Sequence, residues 1–162
     1  MSSNAERLGV TRFDPRKVSA FVLVPAVLVV ADFAADRTAL KFLLLPPLGA
    51  LTYILFVNPA NADMNVRRVI ICPTATALLA WTLASTLGYN AVSVALATIG
   101  TMAIMWGLEA PSIVPPLALA LLTILLHQEV RGRLDYVLSV FIFTVAIYCI
   151  HRVWVRLPLD RP

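Results

Sequence analysis

Six strongly apolar stretches, separated by short polar connections, run through almost the whole chain. Most charged residues lie between these stretches rather than within them. A transmembrane helix needs about 20 predominantly apolar residues, which is close to the length of most of the stretches. The pattern predicts an all-α polytopic transmembrane bundle with six segments, at about Val18–Ala35, Ala39–Asn58, Val69–Leu87, Ala91–Trp106, Ser112–His127 and Tyr136–Trp154.

Both ends of the chain are polar. Residues 1–17 contain three arginines and a lysine and are predicted to be a cytoplasmic lead, and residues 156–162 are a short tail. Between them, residues 18–155 are long enough for a single transmembrane domain without a separate soluble module.

A proline pair interrupts the second and the fifth apolar segments, as Pro46-Pro47-Leu48 and Pro115-Pro116-Leu117. Two consecutive prolines stop a continuous helix but suit its first positions. We expect each pair to start a helix whose free N–H groups could bind an anion. The alternative is a proline kink in an ordinary membrane span, which membrane helices tolerate.

The proline pairs occupy corresponding places in two halves of the chain, residues 18–88 and 89–155. Each half has three apolar segments, so the second half would enter the membrane from the opposite side. This predicts a 3+3 inverted repeat, an architecture in which transporters hold substrate near the bilayer midplane. Only about ten apolar residues follow Pro116, so the fifth segment could instead dip into the membrane and return.

Composition agrees with a membrane protein, since 60% of the 162 residues are hydrophobic and only 14% are charged. Soluble domains average about 45–50% apolar and about 25% charged residues. The net charge of +4 is explained by lysines and arginines in short connections rather than by nucleic acid. From their distribution we expect both termini to be cytoplasmic. We expect the protein to lie in the inner membrane. The two cysteines lack metal-ligand spacing, and we expect neither a metal nor another cofactor.

Three short blocks resemble the HPP family of small integral membrane proteins, over about Val18–Trp154. The first is Pro46–Phe56, PPLGALTYILF, which resembles the family's APFGASAVLLF. The matching residues are Pro47, Gly49, Ala50, Leu55 and Phe56.

The second block, Val66–Pro73, resembles the family's PRNVIGGH and matches it at Arg67, Val69 and Ile70. The third is the His-Pro-Pro signature itself, which is Val114-Pro115-Pro116 in this chain. Some members of the family are nitrite transporters, so the resemblance implies transport of a small anion, with nitrite as the first candidate.

The chain departs from the family at polar or flexible positions. The signature histidine is Val114, the Gly-Gly-His of the second block is Ile71-Cys72-Pro73, and the serine of the first block is Leu51. If the family's polar groups handle substrate, this chain binds a different solute or none.

The candidate substrate site combines the two proline-started helices with neighbouring small and polar residues. Arg67 would raise the local anion concentration, and Thr52, about one turn after the first pair, is the best hydroxyl candidate. The alternative for Thr52, as for Thr74, Thr76 and Thr101, is a hydrogen bond within its own helix. The full set is Pro46, Pro47, Gly49, Ala50, Thr52, Arg67, Ser112, Val114, Pro115 and Pro116.

Glu109 lies close to the second proline pair and is a candidate gating or proton-linked carboxylate, unless it lies at the aqueous edge of a loop. No hydrolase, kinase or dinucleotide motif is present, so we expect no enzyme activity. We expect contact with membrane lipid and assembly into a homo-oligomer, namely a dimer. The alternative is a structural or assembly subunit of a larger membrane complex, bound to other membrane proteins and without transport activity.

Overall fold

The computed structural model describes residues 22–30, 33, 37, 46–57, 65–110, 115–130 and 133–156. All regular structure within these ranges is helical, as predicted. The helices are α1 (residues 22–30), α2 (Pro46–Val57), α3 (Arg67–Thr86), α4 (Ala91–Gly107), α5 (Pro115–Leu125), α6 (His127–Val130) and α7 (Asp135–Val155).

Two helices, α3 and α7, are long and apolar enough to cross a membrane. The helices α2, α4 and α5 are shorter but equally apolar. The bounds of α3, α4 and α7 lie within two residues of the predicted segments. The first parts of predicted segments two and five, residues 39–45 and 112–114, lie outside the described residues.

Helix α3 begins with one wide π-helical turn, Arg67–Ile71, before it continues as an α-helix. The cause is Pro73, which lacks an N–H and whose ring crowds the carbonyl of Val69 four residues earlier. Widening the preceding turn relieves that crowding.

A short turn joins α3 to α4. Gly88 adopts a φ of 67°, a left-handed conformation that glycine tolerates without strain. Asn90 then caps α4, because its side chain accepts a hydrogen bond from the Ser93 N–H at 2.8 Å. The Ser93 hydroxyl accepts one from the Asn90 N–H at 3.1 Å, which completes a capping box.

Loss of this cap should be measurable. We expect Asn90→Ala to lower the free energy of unfolding by about 1 kcal/mol, because the first turn of α4 loses its side-chain acceptor. Asn90→Asp keeps the acceptor and should keep most of the stability. Denaturant unfolding in detergent micelles, followed by circular dichroism, measures both, and equal losses in the two variants would contradict the capping role.

The prediction for the connection after α5 was wrong. The fifth predicted segment ends at His127 and a polar connection follows it, but His127–Val130 form the short helix α6. Its last carbonyl, at Val130, accepts a hydrogen bond from the Trp81 indole N–H at 3.1 Å. This contact with α3 joins residues far apart in the chain, so local sequence could not predict it.

Side-chain contacts show the relative directions of neighbouring helices. A Cβ on Gly100 in α4 would lie 2.5 Å from Leu79 in α3, and Arg68 lies 3.8 Å from Glu109. These two pairs make α3 and α4 antiparallel. The hydroxyls of Thr123 and of the buried Tyr136 share a hydrogen bond, so α5 ends where α7 begins.

The bundle therefore has two distinct ends. The start of α3 packs against α7 and lies near the end of α4, whereas Phe56, near the end of α2, contacts Trp154 near the end of α7. We call this the arginine end, because it carries Arg67, Arg68, Arg152 and Arg156. The opposite end, with the α3–α4 turn and the connection between α5 and α7, is called the turn end.

Helix α3 lies at the centre, in contact with α4, α5, α6 and α7. The core between the helices is built mainly of leucine, alanine, valine and aromatic side chains. One face of α4 is apolar yet exposed, which would be an aggregation hazard in water but suits contact with lipid. The exposed residues of this face are Val92, Leu96, Ile99, Met102 and Trp106.

Candidate functional site

The two helices that carry the proline pairs, α2 and α5, pack against each other. Pro47 and Pro116 are both buried. Of the other predicted contacts, Ser112 and Val114 lie outside the described residues. Pro46 and Pro115 are the first residues of α2 and α5 as described.

Helix α2 can be aligned with α7 through one aromatic contact. The ring of Phe56 lies 5.4 Å from the ring of Trp154 and 5.8 Å from that of His151. Both helices run towards the arginine end. Counting back from Phe56 at about 1.5 Å per residue brings Pro47 to the level of Thr144, near the middle of α7.

Helix α5 can be aligned in the same way at the turn end. Thr123 is bonded to Tyr136, the second residue of α7, and the two helices run in opposite directions. Counting back from Thr123 brings Pro116 to the level of Phe143, again near the middle of α7. The two proline pairs thus reach similar heights in the bundle from opposite directions.

Thr52, the predicted hydroxyl contact, is fully buried and donates to the Leu48 carbonyl at 2.9 Å. Thr74 likewise donates to the Ile70 carbonyl at 2.7 Å. The expectation that these threonines bond within their own helices is confirmed. Each hydroxyl oxygen can still accept a further bond, but its proton is engaged by the helix backbone.

Thr76 in α3 and Thr101 in α4 are different. Both are fully buried, and neither hydroxyl makes a hydrogen bond within the described part of the chain. The expectation of a bond to their own helix is therefore wrong for this pair. The Thr76 hydroxyl does approach the Cys72 thiol, one turn earlier in the same helix, but a thiol is only a weak hydrogen-bonding group and no carbonyl of α3 accepts from this hydroxyl.

The contrast with the other buried hydroxyls is clear. Every other buried serine or threonine in the described ranges makes a hydrogen bond to a carbonyl of its own helix or of its N-terminal cap. These residues are Thr52, Ser93, Thr123, Ser139 and Thr144. A buried hydroxyl without a partner costs about 1–3 kcal/mol, so two of them require an explanation.

The two unpaired hydroxyls lie at similar heights. Leu79 of α3 packs against Gly100 of α4. Thr76 lies three residues before Leu79 and Thr101 lies one residue after Gly100. Because the helices are antiparallel, both threonines are nearer the arginine end than this contact is. At about 1.5 Å per residue, their levels differ by about 3 Å. Thr76 is also the tenth of the 20 residues of α3, which places it at mid-height.

Sequence reasoning did not select this pair. Each is a threonine in an apolar helix, like Thr52, and nothing in the local pattern shows which hydroxyl finds a carbonyl. The one available signal is Gly100, a small residue beside Thr101 that permits close approach of two helices.

The small residues after the first proline pair face other surroundings. Gly49 is half-buried, and a Cβ at this position would lie 3.7 Å from Leu28 in α1. Ala50 is exposed. The structure thus brings Gly49 to the α1–α2 contact.

Arg67 and Glu109 lie at the arginine end. Arg67 is exposed, and the side chain of Glu109 is 87% exposed, with its carboxylate 3.8 Å from Arg68. Glu109 also has a φ of 53° and follows the last turn of α4. The carboxylate therefore lies at the surface of the bundle rather than among the buried hydroxyls.

Comparison with known proteins gives one match. The family described as HPP, transmembrane region, matches residues 15–161. No curated protein and no solved structure matches the chain. The match covers the apolar segments and both proline pairs, so the predicted resemblance to the HPP family is confirmed. This chain belongs to the HPP family of transmembrane proteins.

Proposed function

We propose that the protein transports a small anion across the membrane, with nitrite as the first candidate. The observation that carries the proposal is the pair of buried hydroxyls without partners, Thr76 and Thr101, at mid-height in the bundle. Membership of a transmembrane family supports a membrane protein of transport type. Nitrite itself comes from the family resemblance.

The chemistry suits an anion. Helix N-termini present N–H donors with a partial positive charge, and the proline pairs would supply two such termini inside the bundle. Free threonine hydroxyls add donors without adding a fixed charge. A site built from neutral donors can desolvate an anion and still release it, whereas a buried arginine would hold it more tightly. Arg67 would act earlier, by attracting anions to the arginine end.

We also propose six membrane crossings in a 3+3 inverted arrangement. Support comes from the alternating direction of successive helices and from the opposite directions of α2 and α5, the middle helices of the two halves. The arginine end would face the cytoplasm by the positive-inside rule, with both termini on that side of the inner membrane.

The experiment is anion uptake into proteoliposomes that contain the purified protein, with nitrite, nitrate, formate and chloride compared. We expect saturable uptake of one of these anions. The double variant Pro47→Ala/Pro116→Ala should lower the rate at least about tenfold, because each helix can then satisfy its N–H groups internally. The matched control is Pro25→Ala, which changes an exposed proline in α1.

Two outcomes would contradict the proposal. Unchanged uptake in the double variant would remove the proline pairs from the site. No uptake of any anion by folded, inserted protein would instead favour a structural or assembly subunit, which a stable complex with other membrane proteins on native gels would support.

A further inference from the structure

A cavity opens between α1 and α7 near the arginine end. Its volume is about 380 Å³, and it is lined by Leu23, Cys149, Ile150, Val153 and Trp154. Val153 is 65% exposed, so the cavity lies at the outer surface of the bundle rather than in the core. In a membrane, such a surface contacts lipid chains.

Cationic groups lie at the aqueous end of this cavity. Arg156 follows Val153 by three residues and Cys149 by seven, so it lies on the same face of α7 one turn further out. Arg152 is exposed as well. Neither has a carboxylate partner among the described residues, in contrast to Arg133, which pairs with Asp135 at 2.5 Å.

The guanidinium of Arg152 is held in place. Its Nε donates to the Tyr148 hydroxyl at 2.9 Å, and its carbon lies 5.2 Å from the centre of that ring. Side-chain entropy is therefore lost before any ligand arrives. The hydrogen bond uses only Nε, so the Nη groups of this exposed arginine remain for a phosphate, which guanidinium binds well.

One polar group lies buried just behind the apolar wall of the cavity. Trp154 lines the cavity, and its indole nitrogen has no hydrogen-bond partner in the described ranges. Hydrocarbon alone cannot satisfy the indole N–H. An ester carbonyl, which lies just below the phosphate of a phospholipid, could accept this bond after a small rotation of the ring.

We propose that this cavity binds one anionic phospholipid. An acyl chain occupies the apolar cavity between α1 and α7, and the phosphate lies against Arg152 and Arg156. Charge complementarity selects an anionic head group over a zwitterionic one. The lipid thereby fastens α1 to the end of α7, and this site is separate from the proposed anion path.

The test is native mass spectrometry of the purified protein, titrated with phosphatidylglycerol or with phosphatidylcholine of the same chains. We expect one phosphatidylglycerol to bind at least about tenfold more tightly than phosphatidylcholine. Arg152→Gln/Arg156→Gln should remove this preference, and Val153→Trp should remove tight binding by filling the cavity. The controls are Arg37→Gln, at another charged position, and Val92→Trp, at an exposed apolar position of α4.

Each of three other results would contradict the proposed lipid site. Equal affinity for the two lipids would exclude selection by the arginines. Loss of preference in the arginine variant with unchanged binding in Val153→Trp would indicate attraction to the surface without use of the cavity. Equal loss in Val92→Trp would mean that a bulky residue anywhere on the lipid-facing surface has the same effect.

Discussion

Replacing Thr76 or Thr101 by valine is expected to make the protein more stable and, at the same time, a poorer transporter. Valine has the shape of threonine without its hydroxyl, and both hydroxyls are buried without a partner in the described structure. Removing each should raise the free energy of unfolding by about 1–3 kcal/mol. If the hydroxyls donate to the transported anion, its uptake should fall at least about tenfold in each variant.

The matched control is Thr74→Val, two residues before Thr76 in the same helix. Its hydroxyl donates to the Ile70 carbonyl, so its loss should leave stability and uptake nearly unchanged. Denaturant unfolding in micelles and anion uptake by proteoliposomes are measured on the same preparations. Variants at Thr76 and Thr101 that are more stable yet transport normally would remove the two hydroxyls from the path.

Gly100→Leu is expected to cause a large loss of stability. A Cβ at this position would lie 2.5 Å from the Leu79 side chain, closer than two carbon atoms can approach. The α3–α4 interface must therefore open or Leu79 must adopt another rotamer, and overpacking of this kind costs about 1–3 kcal/mol. Thermal unfolding in micelles measures the effect.

Two further variants make this prediction specific. Gly107→Leu, in the same helix, should have little effect, because no atom lies within 4 Å of a Cβ at that position. The double variant Leu79→Ala/Gly100→Leu should regain much of the lost stability, since the smaller side chain makes room. Similar losses in Gly100→Leu and Gly107→Leu would instead point to a general effect of leucine on this helix.

Much of the fold follows from local pattern. The end of α3 and the start of α4 were predicted closely, because Gly88 favours the end of a helix and Asn90 favours the start of the next one. The predicted start of α7, Tyr136, is one residue late, because Asp135 is already helical and its negative charge suits the first turn of a helix. Helix α6 was missed because its four residues are polar enough to resemble a loop, and the Trp81 contact that accompanies it comes from a distant part of the chain.

The candidate site was predicted only in part. The proline pairs are visible in sequence because their effect on the backbone is covalent. Whether a threonine hydroxyl donates to its own helix cannot be predicted from the sequence. Thr52 and Thr76 have similar apolar neighbours in the sequence, but only Thr52 donates to a carbonyl of its helix. Glu109 lies close to Pro111 in sequence, yet only the packing of α4 against α3 shows that it is beside Arg68.

If α3 and α4 both cross the membrane as proposed, the four-residue connection between them has a consequence for how the protein enters it. Leu87, Gly88, Tyr89 and Asn90 carry no charge, and the two helices that they join contact each other directly. The pair can therefore insert as one hairpin, and no arginine or lysine has to cross the bilayer with its tip. Orientation must then be decided by the flanking arginines, and adding two lysines to this turn would oppose insertion of the hairpin in its native direction.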